Sequence, residues 1–323
     1  MSAQRPVAAT FAAFAVATLA ACTSFGYEPT PLPQSSASAT ASPPASATTA
    51  ADTCSNALES YTPPAAVPTN LSGYPTVDKI RTRGRLIVGG SATSMLLAAR
   101  NPITGRIEGF DVDLARQIAK AIFGDPDKIQ RRVVTNAGRI PVLQDGSVDL
   151  VISAMTINCA RWQQIAFSAE YYRAGQKVLV QRGTKATSLD DLGGQRVCAP
   201  AGSTSLDKLK TFPDVKIVTA ATQTDCLVKF QQDQTDAITG DDTVLAGLAA
   251  QDPYAKVAGD PFTSEPYGIG APAGSKDLIR YVNAVLAQTI SDGSWKASYN
   301  RWLAPALGPA PTPPTPVYGR GQG

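Results

Sequence analysis

Hydrophobic positions along the chain fall into two alternating patterns. Leu86-Ile87-Val88-Gly89 is a short apolar run ending in glycine, the mark of a buried strand. Leu114, Ile118 and Ile122 then recur at spacing four within residues 111–122, and Gly124 follows, which predicts an amphipathic helix with a stop signal. Val133-Val134 and Asp149-Leu150-Val151-Ile152-Ser153 supply two more strand cores. Residues 176–181, 195–198, 216–218 and 237–239 read as strands, with helical stretches at 205–211, 225–232 and 243–251 between them. Helices over 277–290 and 294–302 close the pattern, the last with Trp295, Tyr299 and Trp302 at helical spacing for packing against the first half. Alternation of strand and helix predicts mostly parallel sheets and an α/β class, and the similar rhythm of the two halves predicts two α/β lobes.

The two ends of the chain follow neither pattern. Residues 6–21 are small and apolar behind a lone Arg5, so residues 1–21 read as a signal peptide. The stretch is too short and too alanine-rich for a membrane span, which needs about 20 strongly apolar residues. Leu19-Ala20-Ala21-Cys22 resembles a bacterial lipobox, in which Cys22 is lipidated and becomes the first residue after cleavage; a buried helix ending in cysteine is the alternative. Residues 22–73 are dominated by Ser, Ala, Thr and Pro, and read as a disordered tether. The tail, 305–323, is rich in Pro and Gly and reads as loose. The folded unit is then expected over residues 74–303, held at the outer face of the cytoplasmic membrane by the lipid on Cys22.

Composition narrows the chemistry. The 323 residues hold enough apolar material (43%) for two cores, and they contain no histidine. Ser-His-Asp and Cys-His catalysis and His-ligated metals are therefore excluded. A net charge of +3, with no basic block longer than Arg131-Arg132, removes nucleic acid as a default partner. Beyond Cys22, four cysteines remain, which allow three pairings. Cys198 ends a strand and Cys226 opens a helix in the same half, so Cys198–Cys226 is the expected disulfide. Cys54–Cys159 would then tie the tether to the fold; buried free thiols are the alternative for either pair. No C-x-x-C spacing suggests a metal site, and no cofactor is implied.

A set of short motifs carries a resemblance. Gly109-Phe110-Asp111-Val112-Asp113-Leu114-Ala115 is similar to the helix entry of the bacterial solute-binding proteins of family 3, the polar amino-acid receptors of ABC importers. Further matches follow in order: Gly146-x-Val148-Asp149, Met155-Thr156-Ile157 with Arg161, Phe167-Ser168-x-x-Tyr171, Gly202-Ser203-Thr204, Asp236-Ala237 with Asp241, Tyr267-Gly268-Ile269, and Asp292-Gly293 before Trp302. The set spans residues 85–303. The resemblance implies a type II periplasmic-binding-protein-like fold, in which two lobes of mixed sheet and helices are joined by two hinge strands. Lobe 1 would comprise 74–180 plus 267–304 and lobe 2 would comprise 181–266, with crossings near 177–182 and 265–268.

The same resemblance implies the site. Arg161 would hold the α-carboxylate of a free amino acid, for which a planar guanidinium fork is suited. Asp241 would take the α-ammonium, with Thr156 and the Ala154 carbonyl completing its cage, while Asp242 would cap the following helix. Ser203 and Thr204 stand at a strand–helix junction, where ligand contact and plain N-capping look alike in sequence. Arg139 resembles the R-x-P-x-L arginine of acidic amino-acid receptors, which favours glutamate or aspartate, with asparagine or glutamine possible; a lobe-surface arginine is the alternative. One departure stands out. Ser94-Met95-Leu96-Leu97-Ala98-Ala99-Arg100 replaces the aromatic P-F segment of many relatives, so ring stacking on the ligand is lost, and Arg100 is a further candidate contact.

Because the implied contacts are divided between lobes, ligand would favour the closed state, which a monomer would present to an ABC permease. A membrane sensor is the alternative partner. An enzyme on this fold would need an acid in the cleft, with Glu170 or Glu108 as candidates, and a structural lipoprotein would need no cleft.

Overall fold

The computed structural model describes residues 54–321; the signal peptide, Cys22 and the tether up to residue 53 lie outside the described residues. Two five-stranded sheets organise the rest. The first runs in the order Ile129–Val133, Leu86–Gly90, Leu150–Val151, Gly270–Pro272, Ile165–Phe167. Its first three strands are parallel, and Gly270–Pro272 runs antiparallel to both its neighbours. The second runs Lys216–Ala220, Arg196–Pro200, Ala237–Asp241, Gln176–Gln181, Ala255–Ala258. Here too three strands are parallel, and Gln176–Gln181 is antiparallel to both its neighbours. Both lobes are therefore mixed sheets, as expected.

The helices form where the apolar spacing placed them. Phe110–Phe123 buries Leu114, Ile118 and Ile122 against the first sheet and ends at Gly124, whose left-handed backbone lets its N–H donate to the Lys120 carbonyl. At its start, a Cβ on Gly109 would overlap the Leu97 carbonyl, so the close approach of this helix to the chain below needs glycine. Lys276–Ser291 and Ser294–Trp302 pack on the same lobe; Trp295 and Tyr299 are in its core, and Trp302 Nε1 donates to Asp113 Oδ2 at 2.7 Å. In the second lobe, Gln223–Gln231 begins at a reciprocal cap between Thr222 and Asp225. Cys198 and Cys226 are disulfide-bonded there, with Cα atoms 5.6 Å apart.

Three boundaries differ from expectation. The first crossing is Tyr172–Ala174, which pairs antiparallel with the return strand Glu265–Tyr267. Residues 177–182 cannot be the crossing, because Gln176–Gln181 is already sandwiched inside the second sheet. Lobe 1 therefore gives up this strand to lobe 2. Residues 54–73 were expected to be tether, yet Leu71 is buried, and Ser60 Oγ donates to the Phe167 carbonyl while accepting from Asn283 Nδ2. Cys54 is bonded to Cys159, with Cα atoms 6.0 Å apart. The tail was expected to be loose, yet Val317–Tyr318 pairs in parallel with Glu59–Ser60 and Arg320 stacks on the Trp162 ring, 3.8 Å from its centroid. The segments 54–61 and 317–320 thus form one clasp over the short helix Cys159–Trp162, where Trp162 Nε1 donates to the Ala57 carbonyl.

Candidate ligand-binding cleft

The lobes meet on a polar cavity of about 40 Å³ beside the hinge. Six of the seven expected contact residues line it: Arg139, Ala154 and Thr156 from lobe 1, and Ser203, Thr204 and Asp241 from lobe 2. Arg161 stands just behind this lining, 8% exposed; its Nη1 donates to the Thr156 carbonyl at 2.7 Å and its Nη2 to the Gly202 carbonyl at 3.4 Å. Arg100 turns away, to the Gly105 carbonyl, and neither Glu170 nor Glu108 lines the cavity.

The cleft is closed. Arg139 Nη2 donates across it to Gly202 O at 3.2 Å, and the Thr156 and Thr204 hydroxyls lie 3.2 Å apart. At the rim, Thr224 Oγ1 donates to the Thr93 carbonyl at 3.2 Å. Backbone approaches are as tight: a Cβ on Gly202 would lie 2.6 Å from Ala137 Cα on the other lobe.

Each lobe shapes its wall by a distinct local device. Ala154 follows the strand Leu150–Val151 with φ +44°, a left-handed conformation that costs an alanine about 1 kcal/mol. Asp111, at the start of the long helix, holds it there: Oδ2 accepts the Ala154 N–H at 3.0 Å, and Oδ1 accepts the Tyr171 hydroxyl at 2.9 Å. Burial pushes the Asp111 carboxyl up to about 6 against these two bonds. On lobe 2, Ser203 is the N-cap of Thr204–Leu209; its hydroxyl accepts from Leu206 N–H at 3.0 Å and donates to the Pro200 carbonyl at 2.7 Å. Its one hydrogen is therefore committed to the fold.

Asp241 ends the strand Ala237–Asp241. Its Oδ2 accepts from the Tyr267 hydroxyl at 2.7 Å, and its Oδ1 is buried with no partner among the described residues. Burial, reinforced by the charge of Glu265, pushes this carboxyl up to about 7. Asp242 is the first residue of the helix Asp242–Ala249 rather than the residue before it, and its carboxylate accepts the Thr243 N–H at 2.7 Å. On the cationic side, burial holds Arg139 down to about 9, with the neighbouring Arg161 adding to the effect; burial also holds Arg161 below its ordinary value.

The sequence reading missed Glu265 and Gln223. Glu265 Oε2 accepts from the Thr156 hydroxyl at 2.7 Å and the Thr204 hydroxyl at 2.9 Å, one from each lobe. It lies on the hinge strand itself and is 4% exposed. Both hydroxyl hydrogens point at its carboxylate, so the two threonine oxygens offer lone pairs to the cavity. Gln223 lines the cavity with its Oε1 unpartnered among the described residues. A charge next to a hinge motif was the available signal for Glu265; Gln223, at a helix start, had none.

Residues 86–305 match the family described as bacterial extracellular solute-binding proteins, family 3. The ABC transporter glutamine-binding protein of Bacillus subtilis (strain 168) is 36% identical over 230 residues, which cover 71% of this chain and 84% of that protein. A glutamate-binding protein of Corynebacterium efficiens is 30% identical over 238 residues, covering 70% of this chain and 79% of that one. Among solved structures, an ancestral arginine-binding protein bound to glutamine superposes with a TM-score of 0.65 at 34% identity, over 68% of this chain and 98% of that one. No helix among the described residues is long and apolar enough to cross a membrane. The match takes in both sheets, the hinge strands and every residue that lines the cavity, and the chain belongs to the bacterial extracellular solute-binding proteins of family 3, with their two-lobed type II periplasmic-binding-protein fold.

Proposed function

We propose that this protein closes its two lobes on one free polar amino acid, with glutamate or aspartate favoured over glutamine or asparagine, and delivers it to the permease of an ABC importer. The observation that carries this reading is a division of charge at the cleft: buried Arg139 and Arg161 stand on lobe 1, and the buried Asp241 stands on lobe 2 with its Oδ1 unpartnered among the described residues. A free α-amino acid is a zwitterion and is complementary to that division. Arg161, with three guanidinium hydrogens uncommitted, takes the α-carboxylate. Asp241 Oδ1 takes the ammonium, and the Thr156 and Thr204 oxygens, oriented by Glu265, accept from the same group. Arg139 adds positive charge for an acidic side chain. The alternative of a lobe-surface arginine has no support in a side chain that is 3% exposed.

The lobes close over the cavity, so an amino acid enters only when they part, and closure follows binding. Lipid on Cys22 would keep the monomeric receptor beside its permease at the outer face of the membrane. The relatives named as glutamine- and glutamate-binding proteins support the ligand class. The test is calorimetric titration of residues 23–323 with each of the twenty amino acids. Heat from glutamate or aspartate at micromolar Kd is expected; a folded protein that binds none of the twenty refutes the reading.

A further inference from the structure

Three arginines approach the cleft, and their donors are filled very differently. Arg139 gives Nε to Asn136 O, Nη1 to the Ser153 and Ala154 carbonyls and Nη2 to Gly202 O, so one of its five hydrogens is uncommitted. Arg161 makes two guanidinium bonds. Arg131, on the strand Ile129–Val133, makes one, from Nη2 to the Ser91 carbonyl at 3.2 Å. Its Nε and Nη1 are buried with no hydrogen-bond partner among the described residues. No carboxylate among the described residues lies within 4.0 Å of it. Guanidinium donors buried without a hydrogen-bond partner are costly, and proteins keep such groups satisfied.

The position of this guanidinium says which anion fits. A Cβ on Gly90 would lie 2.9 Å from Arg131 Nη2, so the group lies over the end of the strand Leu86–Gly90, where the chain turns into Ser91. Ser91 and Asp111 both line the cavity, and Asp111 is the charge that acts on Arg131. Arg161 answers instead to Glu265, Asp207 and Asp241. Arg131 bonds the Ser91 carbonyl and so stands behind the Ser91 wall, whereas Arg161 bonds the Thr156 and Gly202 carbonyls.

We propose that Arg131 is the specificity-determining cation for the side-chain end of the ligand, and that it gives an acidic side chain its advantage over the amide of the same shape. The assignment rests on the amino-acid-binding reading of the cleft. A carboxylate at that end gains a charge-assisted bond that a neutral amide does not.

The experiment titrates the protein and its Arg131→Met and Arg131→Lys variants with glutamate, aspartate, glutamine and asparagine, and records the ligand-free unfolding midpoint of each. The Met variant should lose roughly 10- to 150-fold in affinity for the two acids, the worth of one hydrogen bond to a charged group, with the two amides changed by less than about threefold. The Lys variant should retain part of the acid preference. Equal losses for all four ligands, an acid preference as large in the Met variant as in the unsubstituted protein, or a preference for amides in the unsubstituted protein overturns the role of Arg131 while the cleft reading stands. An unsubstituted protein that binds none of the four refutes the cleft reading, and this assignment with it. If the Met variant fails to fold, Arg131→Gln takes its place in the same comparison.

Discussion

Replacing Gly247 by alanine should separate closure from folding. Gly247 lies in the helix Asp242–Ala249 of lobe 2, where a Cβ would come closer than 3.0 Å to the Met95 carbonyl oxygen of lobe 1. Within its own lobe the substitution is favourable, because alanine in place of glycine in a helix interior is worth about 1 kcal/mol. Across the cleft, the lobes must part by roughly 1 Å at this point to restore van der Waals contact. The bonds that span the cleft have no such slack: Arg139 to Gly202 O and Thr224 to the Thr93 carbonyl are both at 3.2 Å, and Arg161 to Gly202 O is at 3.4 Å. Stretched by that amount they cease to be hydrogen bonds. Loss of two or three at about 1 kcal/mol each predicts binding weaker by roughly 30- to 150-fold. Calorimetry with the preferred amino acid reads this loss, and thermal unfolding of the ligand-free protein should show a midpoint unchanged or slightly raised. Gly274→Ala, with nothing within 4 Å of the new methyl, is the control. An unchanged affinity in the Gly247 variant would refute the claim that ligand is held in this closed geometry.

Three further outcomes follow. Arg161→Ala should abolish amino-acid binding while the ligand-free unfolding midpoint stays nearly the same; a collapsed fold would make Arg161 structural. Asp241 is raised to about 7 in the folded protein, so the native state holds a proton there that the unfolded chain releases near pH 4. Its contribution to stability is therefore complete below pH 4 and declines as pH rises to about 7. Asp241→Asn should flatten that decline in a pH series of unfolding midpoints. Because an ammonium favours the charged carboxylate, ligand binding at pH 6.5 should release protons, seen as a buffer-dependent calorimetric heat; equal heats in all buffers would contradict the role of Asp241. Finally, the Cys54–Cys159 bond closes a loop with a sequence separation of 105 residues and Cys198–Cys226 one of 28. Chain entropy assigns them about 5 and about 4 kcal/mol, so a Cys54→Ser/Cys159→Ser variant should melt at least as far below the parent as a Cys198→Ser/Cys226→Ser variant.

Where a segment's partners are close in sequence, its structure was legible. Leu114, Ile118 and Ile122 gave the helix Phe110–Phe123 to within a residue at each end, because spacing four is a property of the helix alone. The strand Ile129–Val133 was misplaced toward Val133-Val134, since it is an edge strand whose Gln130, Arg131 and Arg132 hide the apolar signal. Composition misread both ends for a related reason. Residues 54–73 and 305–321 average as Ser-, Ala-, Pro- and Gly-rich, but they are ordered by distant contacts, among them Cys54 to Cys159, Ser60 to Phe167 and Arg320 to Trp162, which no local window contains. At the cavity, the motif residues were singled out in the sequence and two others were not: Glu265 acquires a role only when the lobes bring Thr156 and Thr204 together, and Gln223 only when its helix start reaches the cavity.

That last point bears on how closure is driven. Glu265 belongs to the hinge strand, and its Oε2 receives one hydroxyl from each lobe, so the ligand-free closed state already has a hydrogen-bonded centre. Against this, Asp241 Oδ1 and Gln223 Oε1 on lobe 2 and two Arg131 nitrogens on lobe 1 are buried in the closed state with no partner among the described residues. Each such group costs about 1–3 kcal/mol. The groups left over are donors on lobe 1 and acceptors on lobe 2. A molecule with a positive and a negative end can satisfy both at once. On this reading the hinge carboxylate brings the two states close in energy and the ligand decides between them, and a Glu265→Gln variant should weaken closure for every amino acid alike, in contrast to the selective loss expected at Arg131.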